Sequence, residues 1–209
     1  MLLTETHEYL GIISGKKRAS VTTILAEEGY ICKRFYREGF AELGTQVHRL
    51  LDAYDKRLRF TAPDIYLRYI SPWQDFLSHT KAEIIDSEVE GEEPMLGYAG
   101  TLDKLLRLPG NGVGLLDIKV SQCGYIPAHE YQTEGYRQML RWHPKYKSLK
   151  IDWRGGIILG PDCSMPKIIN HDRIAGIEKI WACICVVNAD KHKHKIAMEK
   201  IDKENGWYE

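Results

Sequence analysis

The sequence predicts an α/β fold, a central β-sheet covered by α-helices on both sides. Two observations carry this. Apolar residues recur at helical spacing before about residue 80 and again after about residue 127, whereas the segment between them reads as short β-type runs. That middle segment is punctuated by Pro109-Gly110-Asn111-Gly112. Pro presets φ, and Gly and Asn tolerate positive φ, so the tetrapeptide is a strong hairpin signal.

Taken in order, the chain opens with helical patterns. The stretch 20–34 starts at Ser20-Val21-Thr22-Thr23, and 40–57 lines up Leu43, Val47, Leu50, Leu51 and Tyr54 on one face. A third pattern, 63–81, carries Ile65, Tyr69, Trp73, Phe76 and Leu77. Strands are expected over 82–90, 98–108 and 113–120, the last two joined by the turn. A helix over 127–142 ends before Pro144. Two strands, 154–159 and 166–170, flank a turn at Gly160-Pro161-Asp162, and a helix over 172–188 takes Asp172 as its cap. The expected organisation is one domain: a helical part over about 1–80, an α/β core over about 82–188, and a short polar tail in which Lys191-His192-Lys193-His194-Lys195 is solvated.

Composition narrows the function classes. The 209 residues are 44% hydrophobic and 28% charged, ordinary values for a globular chain that buries a core. Basic and acidic side chains number 29 each, so the formal net charge is zero. This counts against an extended DNA-coating surface, which leaves a basic footprint. It leaves open an enzyme in which bound cations supply positive charge. No apolar run approaches the roughly 20 residues of a membrane span. The opening residues are acidic without a basic segment, unlike a secretory leader. Five irregularly spaced cysteines argue against a disulfide scaffold and for a reducing, cytoplasmic compartment.

The chemistry concentrates on the hairpin. A turn centred near Gly110 sets Asp103 opposite Asp117. Two facing carboxylates cost a few tenths to about 1 kcal/mol, and burial pushes one of them towards protonation. A hard divalent cation, Mg²⁺ or Mn²⁺, turns the pair into a site. Lys119 leaves the same face as Asp117, where an ammonium can orient water or stabilise developing charge. Flanking Leu115, Leu116, Ile118 and Val120 predict a strand buried on both faces, where Asp and Lys are rare unless paired or functional. Alone, the Asp-x-Lys is too short to carry the case and reads as a structural ion pair at a strand end. His48, four residues after Gly44, together with Glu88 and the Gln132/Tyr136 pair at i, i+4, adds further polar positions in a fixed order.

Gly44-Thr45-Gln46-Val47-His48, Ser87-Glu88, Gly97 to Asp103, Leu116-Asp117-Ile118-Lys119 and Gln132 to Tyr136, in that order, resemble the PD-(D/E)XK nuclease superfamily. Within it, they are most similar to the RecB-like exonuclease branch with its phage and mitochondrial relatives. The Ser20-Val21-Thr22-Thr23-Ile24 opening is similar as well, and the likeness spans roughly residues 20–136. The resemblance implies a restriction-endonuclease-like core with a mixed sheet and hydrolysis of DNA phosphodiesters with one or two Mg²⁺ or Mn²⁺ ions. An exonuclease of recombination, repair or phage DNA processing is favoured, with an endonuclease or a catalytically silent nucleic-acid-binding module as alternatives.

By position, the resemblance makes His48, Asp103, Asp117 and the carbonyl of Ile118 metal ligands and Lys119 the catalytic lysine. Gln132 and Tyr136 would position the Lys119 region or touch the nucleic acid. Glu88 takes a variable acidic position, with Glu90 as the alternative. Single- or double-stranded DNA is the implied partner, and a homo-oligomer or a recombination partner protein is compatible with it. Some relatives hold an iron–sulfur cluster on one early and three late cysteines, and Cys32, Cys163, Cys183 and Cys185 match that count. However, Cys183 and Cys185 would diverge by about 200° on a helix, and no Cys-x-x-Cys occurs. Buried free thiols are expected instead of a cluster. Lys16-Lys17-Arg18 reads as a solvated loop.

Overall fold

A computed structural model describes residues 2–3, 8–31, 39–120, 126–161 and 166–204. In chain order the elements are β1 (Leu2–Leu3), β2 (Glu8–Leu10), β3 (Lys17–Ser20), α1 (Val21–Glu27), α2 (Phe40–Asp55), α3 (Asp64–Leu67) and α4 (Ile70–Thr80). They continue with β4 (Glu83–Glu93), β5 (Tyr98–Leu108), β6 (Gly112–Lys119), α5 (Ala128–Leu140), β7 (Trp153–Ile158), β8 (Ile169–Asn170) and α6 (Ile177–Glu204). The strands form one mixed sheet in the order β1-β2-β3-β5-β6-β7-β8, with β4 also paired to β5. The β3–β5 and β6–β7 pairs are parallel and the others antiparallel. The fold is therefore mixed α/β.

The two sheet faces are both apolar, and each takes its own helices. Leu106, Leu116, Ile118 and Ile157 pack with Val47 and Leu51 of α2 and Trp73 and Phe76 of α4. Leu105, Val113 and Leu115 pack with α1, α5 and α6 through Ile24, Met139 and Trp181. Strand β6 is buried on both faces, which is why it reads as a continuous apolar run. The hairpin keeps the register set by a turn at Gly110: Leu108 pairs with Gly112 and Lys104 with Leu116. Gly110 and Gly112 take φ of 80° and 78°, the left-handed conformation the turn requires.

Several sequence expectations change. The first 20 residues include strands β2 and β3, where no strand is expected, so the region before residue 80 is not purely helical. Arg18 lies in β3 and pairs with Glu92 at 2.8 Å, which removes it from a solvated loop. Helix α1 ends at Glu27, short of the expected 34, and Gly29 follows at φ 78°. The third helical pattern splits into α3 and α4. Pro72 has no amide hydrogen and its ring clashes with the carbonyl four residues back, so the helix restarts at Ile70.

Asp172 does not cap a helix: its carboxylate accepts from the Arg154 amide at 3.0 Å and from Arg154 Nε at 2.8 Å. The segment 189–204 is helical rather than an irregular tail, although its side chains are largely exposed. Lys191 and His192 hold it to Glu28 and Glu27 at the end of α1. Cys32 and Cys163 lie outside the described residues; Cys183 is exposed and Cys185 buried, both as free thiols.

Candidate metal centre

The polar residues singled out by the sequence meet where β5 and β6 part. Their ladder ends at Lys104 and Leu116, one step before Asp103 and Asp117. Continuing it would pair the backbone groups of Ile118 with β5. Instead the Ile118 amide donates to Asp103 Oδ2 at 2.6 Å, and the Ile118 carbonyl lies 3.0 Å from His48 Nε2. Side chains thus complete a ladder that the backbone leaves open.

His48 enters this fork from the middle of α2. Its Nδ1 lies 3.4 Å from Asp103 Oδ1 and 3.5 Å from Glu88 Oε1. Glu88 has φ 51°, a left-handed conformation in the middle of β4. A side chain there costs of order 1 kcal/mol, and such strain concentrates at functional positions. His48, Glu88 and Asp103 offer three ligand atoms within 4.8 Å of one another. Of the two acidic candidates on β4, Glu88 joins His48, while Glu90 sits in the regular ladder opposite Thr101.

Asp117 and Lys119 leave β6 on the α5 side. Lys119 Nζ is 2.8 Å from Asp117 Oδ2 and donates to Gln132 Oε1 at 2.9 Å. Gln132 Nε2 donates in turn to the Tyr136 hydroxyl at 2.8 Å. Gln132 and Tyr136 are both buried, so they hold Lys119 from behind. Gly100, within the Gly97–Asp103 motif, makes room for this: a Cβ there would lie 2.9 Å from the Tyr136 ring.

The electrostatics follow from burial and close charge. Burial alone would lower the His48 pKa, but the Asp103 and Glu88 carboxylates push it up to about 10. Burial would raise Asp103, yet His48, Lys119 and the Ile118 amide hold it below its usual value. Burial, together with the charge of Asp103, pushes Asp117 up to about 6 against the pull of Lys119.

The donor set fits a hard divalent ion. Carboxylates, a carbonyl and an imidazole are all present, and Glu88 Oε1 and Asp117 Oδ2 are buried without a well-aimed hydrogen bond. Lys119 Nζ donates to the other Asp117 oxygen, Oδ1, at 3.1 Å. His48 Nε2 is engaged with the Ile118 carbonyl at 3.0 Å, so Nδ1 is the ring nitrogen that faces the Glu88 and Asp103 carboxylates. Among the described residues, the converging trio is His48, Glu88 and Asp103, whereas Asp117 turns towards Lys119.

Two histidines near Lys119 escaped the sequence reading. Burial first, then the charge of Lys119, lowers His129 to about 3; burial, Arg154 and Lys119 lower His171 to about 4. Both imidazoles are therefore neutral beside the lysine. His129 precedes Gln132 by one helical turn, and that spacing was the available signal.

No family model matches the sequence, and no curated protein matches it. Among solved structures, one described as the crystal structure of SSO0001 aligns over 83% of this chain and 75% of its own, at 16% identity and a TM-score of 0.39. None of the described helices is long and apolar enough to cross a membrane.

Proposed function

We propose that this protein is a Mg²⁺- or Mn²⁺-dependent nuclease that hydrolyses DNA phosphodiesters, acting as an exonuclease. The carrying observation is the convergence on one sheet fork of His48, Glu88 and Asp103, with the Asp117–Lys119–Gln132–Tyr136 chain on its α5 side. These residues come from α2, β4, β5, β6 and α5, and local structure alone does not require them to meet.

His48, Glu88 and Asp103, with Asp117 and the Ile118 carbonyl, would hold the ion or ions. Such a cation would generate a water nucleophile near neutral pH and offset phosphate charge. Lys119 supplies a fixed ammonium, available to orient the attacking water or to meet charge developing on a non-bridging oxygen. Asp117 pairs with that ammonium, Gln132 aims it, and Tyr136 holds the Gln132 amide in the orientation that leaves its oxygen to Lys119. Zero net charge is consistent with a substrate drawn to the bound cations more than to a basic surface.

The test is cleavage of labelled linear single- and double-stranded DNA with Mg²⁺ or Mn²⁺ by the wild type, Asp117→Ala and Lys119→Ala. Metal-dependent cleavage by the wild type is expected, with Asp117→Ala and Lys119→Ala slower by at least about 10²-fold. Absence of cleavage of DNA or RNA removes the enzyme reading, and DNA affinity without turnover would mark a silent binding module. A closed circular substrate that resists cleavage supports the exonuclease; cutting it makes the protein an endonuclease.

A further inference from the structure

Helix α2 presents three polar side chains on successive turns of one face, His48, Asp52 and Asp55. Only the first belongs to the metal centre. The other two grip the strands immediately beside it. Ser87 and Lys104 are direct cross-strand partners in the β4–β5 ladder. Ser87 precedes Glu88 and Lys104 follows Asp103, so this pair is the next rung from the two carboxylates. Ser87 Oγ donates to Asp52 Oδ1, and Lys104 Nζ lies 2.6 Å from Asp55 Oδ2.

The Asp55–Lys104 pair has the character of a peg. Both side chains are only 1% exposed. The other Asp55 oxygen accepts from Trp73 Nε1 at 2.8 Å, and the ammonium sits 5.6 Å from the Trp73 ring centroid. The surroundings are apolar: Val47, Leu51, Trp73, Phe76 and Leu106 belong to the same packed cluster. Apolar side chains of similar volume could fill this place without loss of stability, because two desolvated charges return little net stabilisation. Apolar packing tolerates small shifts of a helix on a sheet at modest cost, whereas a desolvated charge pair is satisfied in one position.

We infer that Asp55 and Lys104, seconded by Asp52 and Ser87, are positioning residues that lock α2 against β4 and β5 so that the His48 ring meets Glu88 and Asp103. The inference rests on the metal-centre reading above. It assigns the buried pair to ligand geometry rather than to stability, in the way that outer hydrogen-bond partners orient metal ligands elsewhere.

The test titrates the full-length protein with Mn²⁺ in a calorimeter and records thermal melts for the wild type, Asp55→Asn/Lys104→Met and Asp52→Ala. The double variant removes both charges together and retains an acceptor for Trp73. It is expected to melt near or above the wild type yet bind Mn²⁺ about 10- to 100-fold more weakly. Asp52→Ala, at a partly exposed position, is expected to lose about tenfold. Folded variants that bind Mn²⁺ as tightly as the wild type overturn the inference and leave the metal centre intact. If the double variant does not fold, Asp52→Ala decides on the same terms. A wild type that takes up no Mn²⁺ removes the metal centre, and the inference with it.

Discussion

Asp103 Oδ2 receives the Ile118 amide at 2.6 Å, in the place where the β5–β6 ladder would otherwise have continued. The carboxylate therefore serves the sheet and the candidate centre together. Asp103→Ala leaves a buried amide without its acceptor, a loss of about 1–3 kcal/mol. The expected outcome is faster hydrogen exchange at Ile118 in the folded protein, with Mn²⁺ binding abolished in calorimetric titration. Unchanged exchange at that amide would separate the two roles.

Metal uptake should release a proton. Against burial, the Asp103 and Glu88 carboxylates push His48 up to about 10, so at neutral pH its ring is an imidazolium that must lose a proton for an ion to bind. Affinity should rise with pH until His48 has lost its proton. Binding heats at pH 7 should differ between buffers of different ionisation enthalpy in proportion to the proton released. Identical heats in both buffers would mean that His48 is not a ligand.

Lys119→Ala is expected to reduce kcat by about 10²–10³-fold, as the loss of an electrostatic contact at a reacting centre does, with Mn²⁺ affinity much less affected. The same substitution removes the charge that opposes protonation of Asp117, so the acid limb of the pH–rate profile should move above the value of about 6 for Asp117. Residual activity measured across pH 5–9 checks both.

Glu88→Gly separates stability from binding. Glycine takes φ 51° without a Cβ penalty, so chemical denaturation should show a gain of up to about 1 kcal/mol under conditions where His48 is neutral and its contact with Glu88 carries no ion-pair energy. Mn²⁺ affinity should fall in the same protein. A variant that is less stable would place the strain elsewhere.

Glu92 gives a pH test away from the centre. Burial would raise its pKa, but Ser14, Arg18 and the Ile13 amide hold it at about 2, against 4.5 when unfolded. A depressed carboxylate stabilises the fold above its unfolded pKa, and that contribution fades as pH falls from about 4.5 through about 2. Glu92→Gln should cost about 1–3 kcal/mol at pH 7 and almost nothing near pH 2, measured by urea unfolding.

Much of the architecture was readable where local chemistry decided it. Pro109 to Gly112 dictated the hairpin and its register, and Ser20 announced a helix start by accepting from the Thr23 amide. Gln132 and Tyr136 revealed a shared helix face through their spacing alone. What escaped depends on distant partners. The β2–β3 hairpin is short and polar, and its anchor Glu92 belongs to another strand. Residues 189–204 carry no apolar periodicity against a core, so the helix there looks like a tail. The left-handed φ of Glu88 leaves no mark on the sequence, and neither does the meeting of Lys104 with Asp55.

Lys104 also bears on the order of events in folding. Its ammonium cannot leave water at acceptable cost before Asp55 arrives, because the desolvation penalty of a single buried ion is several kcal/mol. The sheet face around Lys104 therefore stays hydrated until α2 has docked. A nascent chain that has made β4, β5 and β6 but not yet seated α2 would keep that face wet and resist premature collapse. Arrival of the helix and closure of the core then become one cooperative event.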